Sequence, residues 1–343
     1  MKICLYLENY ACGGIEAFLN GLAREADKKG RDIRIAAGHI SSKGNTAGKE
    51  REIIQCRGMV GFYRLCKKEQ YRAVHINAYK GTTLKLLVAA YLAGVPVRIA
   101  HSHNSDLRPG ILRSVKLLIH KAAAGFFGLF ATRRLACSAP AARFMFGKRA
   151  YEFIPNGIDI RAFEFNKDLR LKTRRELGAG SKTLLVGCIG RLCTQKNQAF
   201  LLRVLAGMED DKKLIIIGDG EDRKFLRREA IRLKVRDRVL FTGNRNDIHA
   251  LLCAMDVFAL PSLFEGLPVT AVEAQAAGVP CVLSDRITRE CRLSELCSFL
   301  PLEEETWLRA IEAFAFKRGG GLAAKEYDMS NVYRCLERIY AGE

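Results

Sequence analysis

Short apolar runs rich in β-branched residues alternate with stretches of three-to-four-residue apolar spacing along most of the chain, a rhythm that restricts the fold to parallel α/β architectures. In the first half, residues 2–7, 33–37, 73–77, 97–101 and 135–138 read as strands, with helices at 15–29, 81–93 and 111–131. The second half repeats the pattern, with strands at 184–189, 214–217, 239–241, 257–260 and 280–283 and helices filling the gaps.

With 343 residues the chain is too long for one comfortable core, and the expected fold is two Rossmann-like domains facing each other across a cleft. Turn chemistry at Pro155-Asn156-Gly157 and a charged, helix-like stretch to Leu177 place the junction near residue 165. The expected division is 1–165, 166–318 and a tail, 319–343, whose helix at 322–340 crosses back to the first domain. In open parallel sheets ligands bind beyond the carboxyl ends of the strands, which singles out the loops after Leu7, Ile189, Ile217, Phe241 and Leu260.

Composition excludes several classes. The apolar start is cut by Glu8, too early for a signal peptide, and the longest uncharged apolar stretch, 122–131, is too short to span a bilayer. The 12 cysteines are scattered without CxxC or paired Cys/His spacing, which suits reduced thiols rather than disulfides or structural zinc. The net charge of +19 is uneven: residues 1–165 carry 27 Lys and Arg against 12 Asp and Glu, the remainder 29 against 25. A field so concentrated points to an anionic partner, since each cation near anionic lipid gains about 1 kcal/mol. No nucleic-acid-binding motif accompanies it.

Three segments carry chemistry. Cys12-Gly13-Gly14-Ile15-Glu16 follows the first strand and opens a helix whose N–H groups and dipole could hold a phosphate, although glycines there also serve tight geometry alone. It is not a GxGxxG fingerprint. Gly190-Arg191-Leu192-Cys193-Thr194-Gln195-Lys196-Asn197 sets two cations five residues apart, able to converge on a diphosphate that gains charge as it leaves. It lacks a P-loop's GK[ST] ending, which disfavours ATP hydrolysis. In Pro261-Ser262-Leu263-Phe264-Glu265-Gly266-Leu267-Pro268-Val269-Thr270-Ala271-Val272-Glu273-Ala274, two carboxylates stand eight apart around a glycine turn and a Pro-initiated helix, placed to accept hydrogen bonds from sugar hydroxyls.

That last segment resembles the E-x7-E motif of the retaining family 4 glycosyltransferases, and the similarity extends over nearly the whole chain. The resemblance implies the GT-B fold, an acceptor-binding first domain, a donor-binding second domain, and hexosyl transfer from a nucleoside-diphosphate sugar, UDP-linked, with retention at the anomeric carbon. It implies that Gly14 sits at the donor diphosphate, that Arg191 and Lys196 neutralise it, and that Glu265 contacts the transferred sugar. Glu273 would meet the ribose, backbone at Gly266 and Leu267 the phosphate or sugar, and Gly243 and Asn244 the base. No cofactor or metal is expected. The wording from Ala276 to Glu290 resembles the capsular and exopolysaccharide branch of the family.

The family places a histidine at the end of the fourth strand. His101 in Ala100-His101-Ser102-His103-Asn104-Ser105 matches best and would hydrogen-bond the donor sugar, with His103 as runner-up. Residues 109–134, with Arg108 just before, combine cations with leucine, isoleucine and phenylalanine. They read either as an interfacial amphipathic helix or as a core helix with a basic outer edge. The first reading docks a cytoplasmic enzyme on the inner face of the cell membrane, where a glycan or polyprenyl-linked acceptor resides. A nucleotide-sugar epimerase and a catalytically inactive basic binding protein are the alternatives.

Overall fold

The computed structural model describes residues 1–11, 13–40, 52–107, 112–320, 322 and 324–343, which divide into two units: 1–158 with 326–343, and 159–325. Among the described residues of the first unit, seven strands pair in parallel: β1 (Lys2–Tyr10), β2 (Asp32–Ile40), β3 (Ile53–Gln55), β4 (Ala73–Ala78), β5 (Val97–Ser102), β6 (Arg133–Ala136) and β7 (Glu152–Phe153). Their order is β3-β2-β1-β4-β5-β6-β7, so the winding reverses between β1 and β4. In the second unit β8 (Leu184–Ile189), β9 (Lys212–Ile217), β10 (Val239–Gly243), β11 (Val257–Leu260), β12 (Cys281–Ser284) and β13 (Cys297–Leu300) run β10-β9-β8-β11-β12-β13, and the reversal lies between β8 and β11.

Parallel sheets bury both faces, which is why the central strands are apolar almost throughout. On β1 the alternation separates two cores. Ile3, Leu5 and Leu7 pack with Phe18, Leu19 and Leu22 of α1 (Gly14–Lys28) and with Val332, Tyr333, Leu336 and Tyr340 of the C-terminal helix Met329–Ala341. Cys4 and Tyr6 face the other side, against Phe62 of α2 (Gly58–Glu69) and Leu86 and Leu87 of α3 (Leu84–Leu92). Two further helices, α4 (Arg113–Gly125) and the short α5 (Phe127–Phe130), follow β5, and α6 (Ala139–Phe146) follows β6.

Five elements depart from the sequence expectation. The strands β3, β7 and β13, with three, two and four residues, were not anticipated; they are short sheet edges without an alternating apolar pattern long enough to read. The single helix expected at 111–131 is broken after Gly125. The returning helix begins at Met329 rather than 322, because Ile158 donates to the Tyr327 carbonyl and accepts from the Met329 N–H, holding Asp328 extended after a 3-10 turn at Lys325–Tyr327 until its side chain caps the helix at Ser330.

The charged stretch after the junction is α7 (Lys167–Glu176), and two of its arginines, Arg170 and Arg174, point inward. Arg170 donates to the carbonyls of Cys253, Ala254 and Met255 at the end of α9 (Ile248–Ala254), where a helix presents its negative pole. Arg174 bridges the Ala254 carbonyl and Asp256, whose carboxylate also accepts the Leu185 N–H at 2.8 Å. Asp256 is 3% exposed, so the pair ties α7 to two core strands.

A second buried network anchors the C-terminal helix. His75 Nδ1 lies 2.7 Å from the Tyr340 hydroxyl, His75 Nε2 3.0 Å from His101 Nδ1, and His101 Nε2 3.1 Å from the Ile154 carbonyl. A carbonyl only accepts, so His101 carries its proton on Nε2. His101 Nδ1 then accepts from His75 Nε2–H, and His75 Nδ1 from Tyr340. Burial pushes His75 and His103 down to about 3 and His101 well below its ordinary value, with neighbouring histidines adding to the effect on His75 and His101.

Two outcomes are expected. Removing the Asp256 carboxylate leaves buried Arg174 unpaired, so Asp256→Ala should cost about 3–5 kcal/mol in chemical denaturation, and a loss under about 1 kcal/mol would contradict the structural role. The three histidines are neutral when folded but titrate near 6.5 when unfolded. For His75 and His103 that contribution is complete above pH 6.5 and is lost as pH falls towards about 3. Each steepens the fall by about 1.4 kcal/mol per pH unit. His75→Gln should flatten the fall relative to wild type, and an unchanged slope would contradict the assignment.

Candidate functional site

The reversal point of the second sheet is built by the loops that leave β8 and β11. The loop after β8 starts at Gly190, with φ 154°, whose N–H donates to the Ile217 carbonyl at 2.9 Å. A Cβ added to Gly218 would fall 2.1 Å from the Gly190 carbonyl oxygen, and one on Gly220 2.2 Å from that of Leu192, so the loops after β8 and β9 approach as closely as backbone allows. Leu192 and Cys193 bury their side chains beneath the loop. Asn197, in the left-handed region at φ 53°, then opens α8 (Gln198–Ala206).

Three hydrogen bonds lace the two loops together. The Leu263 N–H donates to the Gln195 carbonyl at 2.8 Å, Gln195 Nε2 to the Phe264 carbonyl at 2.9 Å, and Asn197 Nδ2 to the Pro261 carbonyl at 3.2 Å. The consequence is an ion pair: Lys196 Nζ lies 2.6 Å from Glu265 Oε1, with side chains 16% and 11% exposed. The lysine stem passes over Gly190, where an added Cβ would meet Lys196 Cε at 3.0 Å. Arg191 stands at the rim, more than half exposed, with Nε 2.9 Å from Glu221 on the loop after β9.

Beyond Glu265, Gly266 and Leu267 are buried and lead through Pro268 into α10 (Val269–Ala276). Glu273 sits within this helix, 9% exposed, with no hydrogen bond or ion pair to its carboxyl group among the described residues. Burial alone pushes its pKa up to about 7. Gly243, at φ 72°, ends β10; its carbonyl accepts the Gly218 N–H at 2.8 Å, and Asn244 beside it is exposed.

Arg191, Lys196, Glu265, Gly266 and Leu267 thus share the two loops of one reversal point, with Glu273 in the helix that follows and Gly243 and Asn244 two strands away. In the first unit Gly14 opens α1 beside its own reversal point; Glu16 accepts the Ala11 N–H at 3.0 Å, and a Cβ on Gly13 would lie 2.9 Å from that carboxylate. Cys12, Arg108 and Pro109 lie outside the described residues. His101 departs from expectation. It is wholly buried and both ring nitrogens are engaged within the first unit, so it presents neither to a sugar. His103 is also enclosed, with ring nitrogens 2.9 and 2.8 Å from Asn156 Oδ1 and Asn77 Oδ1.

Sequence reasoning passed over Gln195, Asn197 and Glu221. The first two lie inside a loop already singled out for its cations, and polar side chains in a turn between two strand ends were the available signal. Glu221 follows Gly218-Asp219-Gly220, a glycine-bracketed acidic turn after a flagged strand.

Comparison with known proteins agrees with this architecture. Residues 170–291 match the family model described as glycosyl transferases group 1. The chain is 32% identical over 306 residues to EpsF of Bacillus subtilis, covering 81% of this chain and 77% of that protein. It is 34% identical over 252 residues to the UDP-Gal:alpha-D-GlcNAc-diphosphoundecaprenol alpha-1,3-galactosyltransferase of Escherichia coli. That match covers 68% of this chain and 63%, less than two thirds, of the relative. Among solved structures, Anabaena HepE in complex with UDP-glucose superposes with a TM-score of 0.84 at 21% identity over the whole of both chains. WaaG, a glycosyltransferase involved in lipopolysaccharide biosynthesis, gives 0.71 at 17% over 99% of this chain and 96% of its own. These two show the fold, GT-B. The 32% identity over most of this chain and of its Bacillus subtilis relative is beyond what a shared fold alone produces, and the protein belongs to the group 1 family of glycosyltransferases.

Proposed function

We propose that the protein is a retaining hexosyltransferase that moves a sugar from a UDP-sugar to a glycan or polyprenyl-linked acceptor at the cytoplasmic face of the cell membrane, in capsular or exopolysaccharide assembly. The observation that carries this reading is the Lys196–Glu265 pair, 2.6 Å apart between the two loops of the reversal point. It brings a cation for a diphosphate and a carboxylate for a sugar to the position where parallel sheets bind nucleotides. The choice of UDP and of a lipid-linked acceptor is supported by the Escherichia coli relative, named for UDP-Gal and a diphosphoundecaprenol acceptor, and by HepE, solved with UDP-glucose.

In this reading a diphosphate over Gly190 competes with Glu265 for Lys196, and Arg191 exchanges Glu221 for a phosphate oxygen. Each exchange replaces a carboxylate with a group that gains negative charge as the bond breaks, so both cations favour the transition state over the ground state. Glu265, released from the lysine, accepts hydrogen bonds from hydroxyls of the transferred sugar. The bond from the anomeric carbon to the diphosphate oxygen breaks through an oxocarbenium-like state. The acceptor oxygen bonds to the same face of that carbon, and its proton passes to the leaving diphosphate. Backbone at Gly266 and Leu267 faces phosphate or sugar, Glu273 holds the ribose, and Gly243 and Asn244 flank the base. Two cations and a helix N-terminus supply the charge that Mg²⁺ supplies elsewhere, so neither metal nor cofactor is invoked.

A thermal-shift and hydrolysis panel of UDP-, GDP- and ADP-sugars tests the proposal. A UDP-sugar at 100 times its Kd should stabilise the protein by about 2.7 kcal/mol. Arg191→Ala and Lys196→Ala should remove most of that shift, while Glu265→Gln keeps UDP binding and loses on the order of 100-fold or more in turnover. Stabilisation by GDP- or ADP-sugars instead would overturn the donor, and none by any sugar nucleotide would overturn the site. Glu273 adds a pH test. Its folded pKa of about 7 exceeds the ordinary carboxylate value, so its stabilising effect is complete in acid and is lost as pH rises through about 7. Glu273→Gln should therefore raise the melting temperature at pH 8 and leave it nearly unchanged at pH 5; equal effects at both would contradict a protonated Glu273.

A further inference from the structure

We propose that Thr270 is a further donor-binding residue: with Glu273 it reads the cis-diol of the nucleotide's ribose, one hydroxyl each, and so selects ribonucleotide over deoxyribonucleotide donors. The inference deepens the proposed function and rests on it for the presence of a nucleotide beside α10.

Three polar side chains project from α10, and they divide by face. Gln275 is 1% exposed and commits its whole amide to the fold. Its Nε2 donates to the Ala271 and Cys291 carbonyls at 2.9 and 2.8 Å, and its Oε1 accepts the Leu293 and Ser294 N–H groups at 2.8 and 3.0 Å. Thr270 and Glu273 lie on the other side. At about 3.6 residues per turn these two are about 60° apart around the helix, and Gln275 is roughly 140–160° from either.

Neither member of that pair is satisfied. The Thr270 hydroxyl oxygen is enclosed without a hydrogen-bond partner among the described residues, like the Glu273 carboxyl group one turn on. A threonine in a helix ordinarily turns its hydroxyl back on a backbone group of the neighbouring turn. Thr270 does not, and a buried hydroxyl left unpaired destabilises a fold. Nothing in the packing of the second unit therefore calls for a hydroxyl at 270, where a valine of the same shape would serve better. The same side of the helix is also the open one. Every residue of α10 except Thr270 is buried, and Glu273 is the most exposed of the rest.

The chemistry of the pair identifies what it takes. Side chains three apart on a helix have Cβ atoms about 5–6 Å apart, close enough for their oxygens to converge on two neighbouring ligand oxygens. A threonine hydroxyl both donates and accepts, and a carboxyl group accepts from a hydroxyl. A phosphate oxygen would instead set acceptor against acceptor at Glu273. Neighbouring hydroxyls are what a ribose presents at C2′ and C3′. A site that pairs with a ligand hydroxyl rejects the analogue lacking it, because its own buried polar group is then left unpaired.

Titration calorimetry of the whole chain with UDP, 2′-deoxy-UDP and 3′-deoxy-UDP tests the inference without acceptor or turnover. Wild type should bind UDP on the order of tenfold more tightly than either analogue. Thr270→Val should weaken UDP by about tenfold and bind one analogue, the one lacking the hydroxyl that Thr270 holds, as wild type does. Thr270→Ser, which keeps the hydroxyl, should bind UDP like wild type. Without ligand, Thr270→Val should melt at or above the wild-type temperature, because a methyl replaces an unpaired hydroxyl. A lowered melting temperature with equal weakening of all three nucleotides would make Thr270 structural and overturn the inference. Equal binding of the three by wild type, or unchanged UDP affinity in Thr270→Val, would overturn it while leaving the sugar-transfer reading intact. No binding of UDP by wild type would overturn both.

Discussion

Everything in each unit follows from parallel strand pairing. A parallel sheet needs a crossover for every strand, and helices on both faces leave no exposed side for polar residues. Loops become the only place for chemistry, and one point per sheet, where the winding reverses, leaves adjacent loops diverging to opposite faces. In the second unit that point lies between β8 and β11, and the side chains with the most distinctive chemistry gather there. The glycines at 190, 218 and 220 make it possible, because any side chain would prop the strand ends apart.

The electrostatics divide by depth. Charges that hold the fold are buried and paired, as with Arg174 and Asp256, and the histidine chain reaching Tyr340 is kept neutral by burial. Charges at the reversal point are only partly buried and paired across loops, so partners can be exchanged: Lys196 with Glu265, Arg191 with Glu221. Glu273 is intermediate, a buried carboxyl held near neutrality with no partner among the described residues. An arrangement of this kind stores binding capacity at the loops without weakening the core.

The two-sheet α/β architecture was legible because central strands of parallel sheets are apolar runs and crossover helices carry a single apolar stripe. The strands 184–189 and 257–260 appear in the structure with those bounds. Edge strands escaped notice because two to four residues carry no period. The loops bearing Lys196 and Glu265 could be singled out because a cation pair and a carboxylate pair next to glycine turns are unusual for a purely structural turn. Their contact could not be read, since it depends on Gln195 and Asn197 bonding across to 261–264. His101 shows the opposite limit. The family resemblance implies a functional histidine at this strand end, but the β4–β5 register pairs His101 with Asn77, diagonal to His75, and its two nitrogens are taken by His75 and the Ile154 carbonyl.

The central claim is that the reversal point of the second unit is where the nucleotide diphosphate binds. Hydrogen exchange of the protein, followed by mass spectrometry with and without saturating UDP-sugar, tests it directly. The account predicts slowed exchange in residues 190–197 and 261–268, lost in Lys196→Ala. Protection confined to loops of the first unit, or unchanged exchange in both segments despite demonstrated binding, would contradict it.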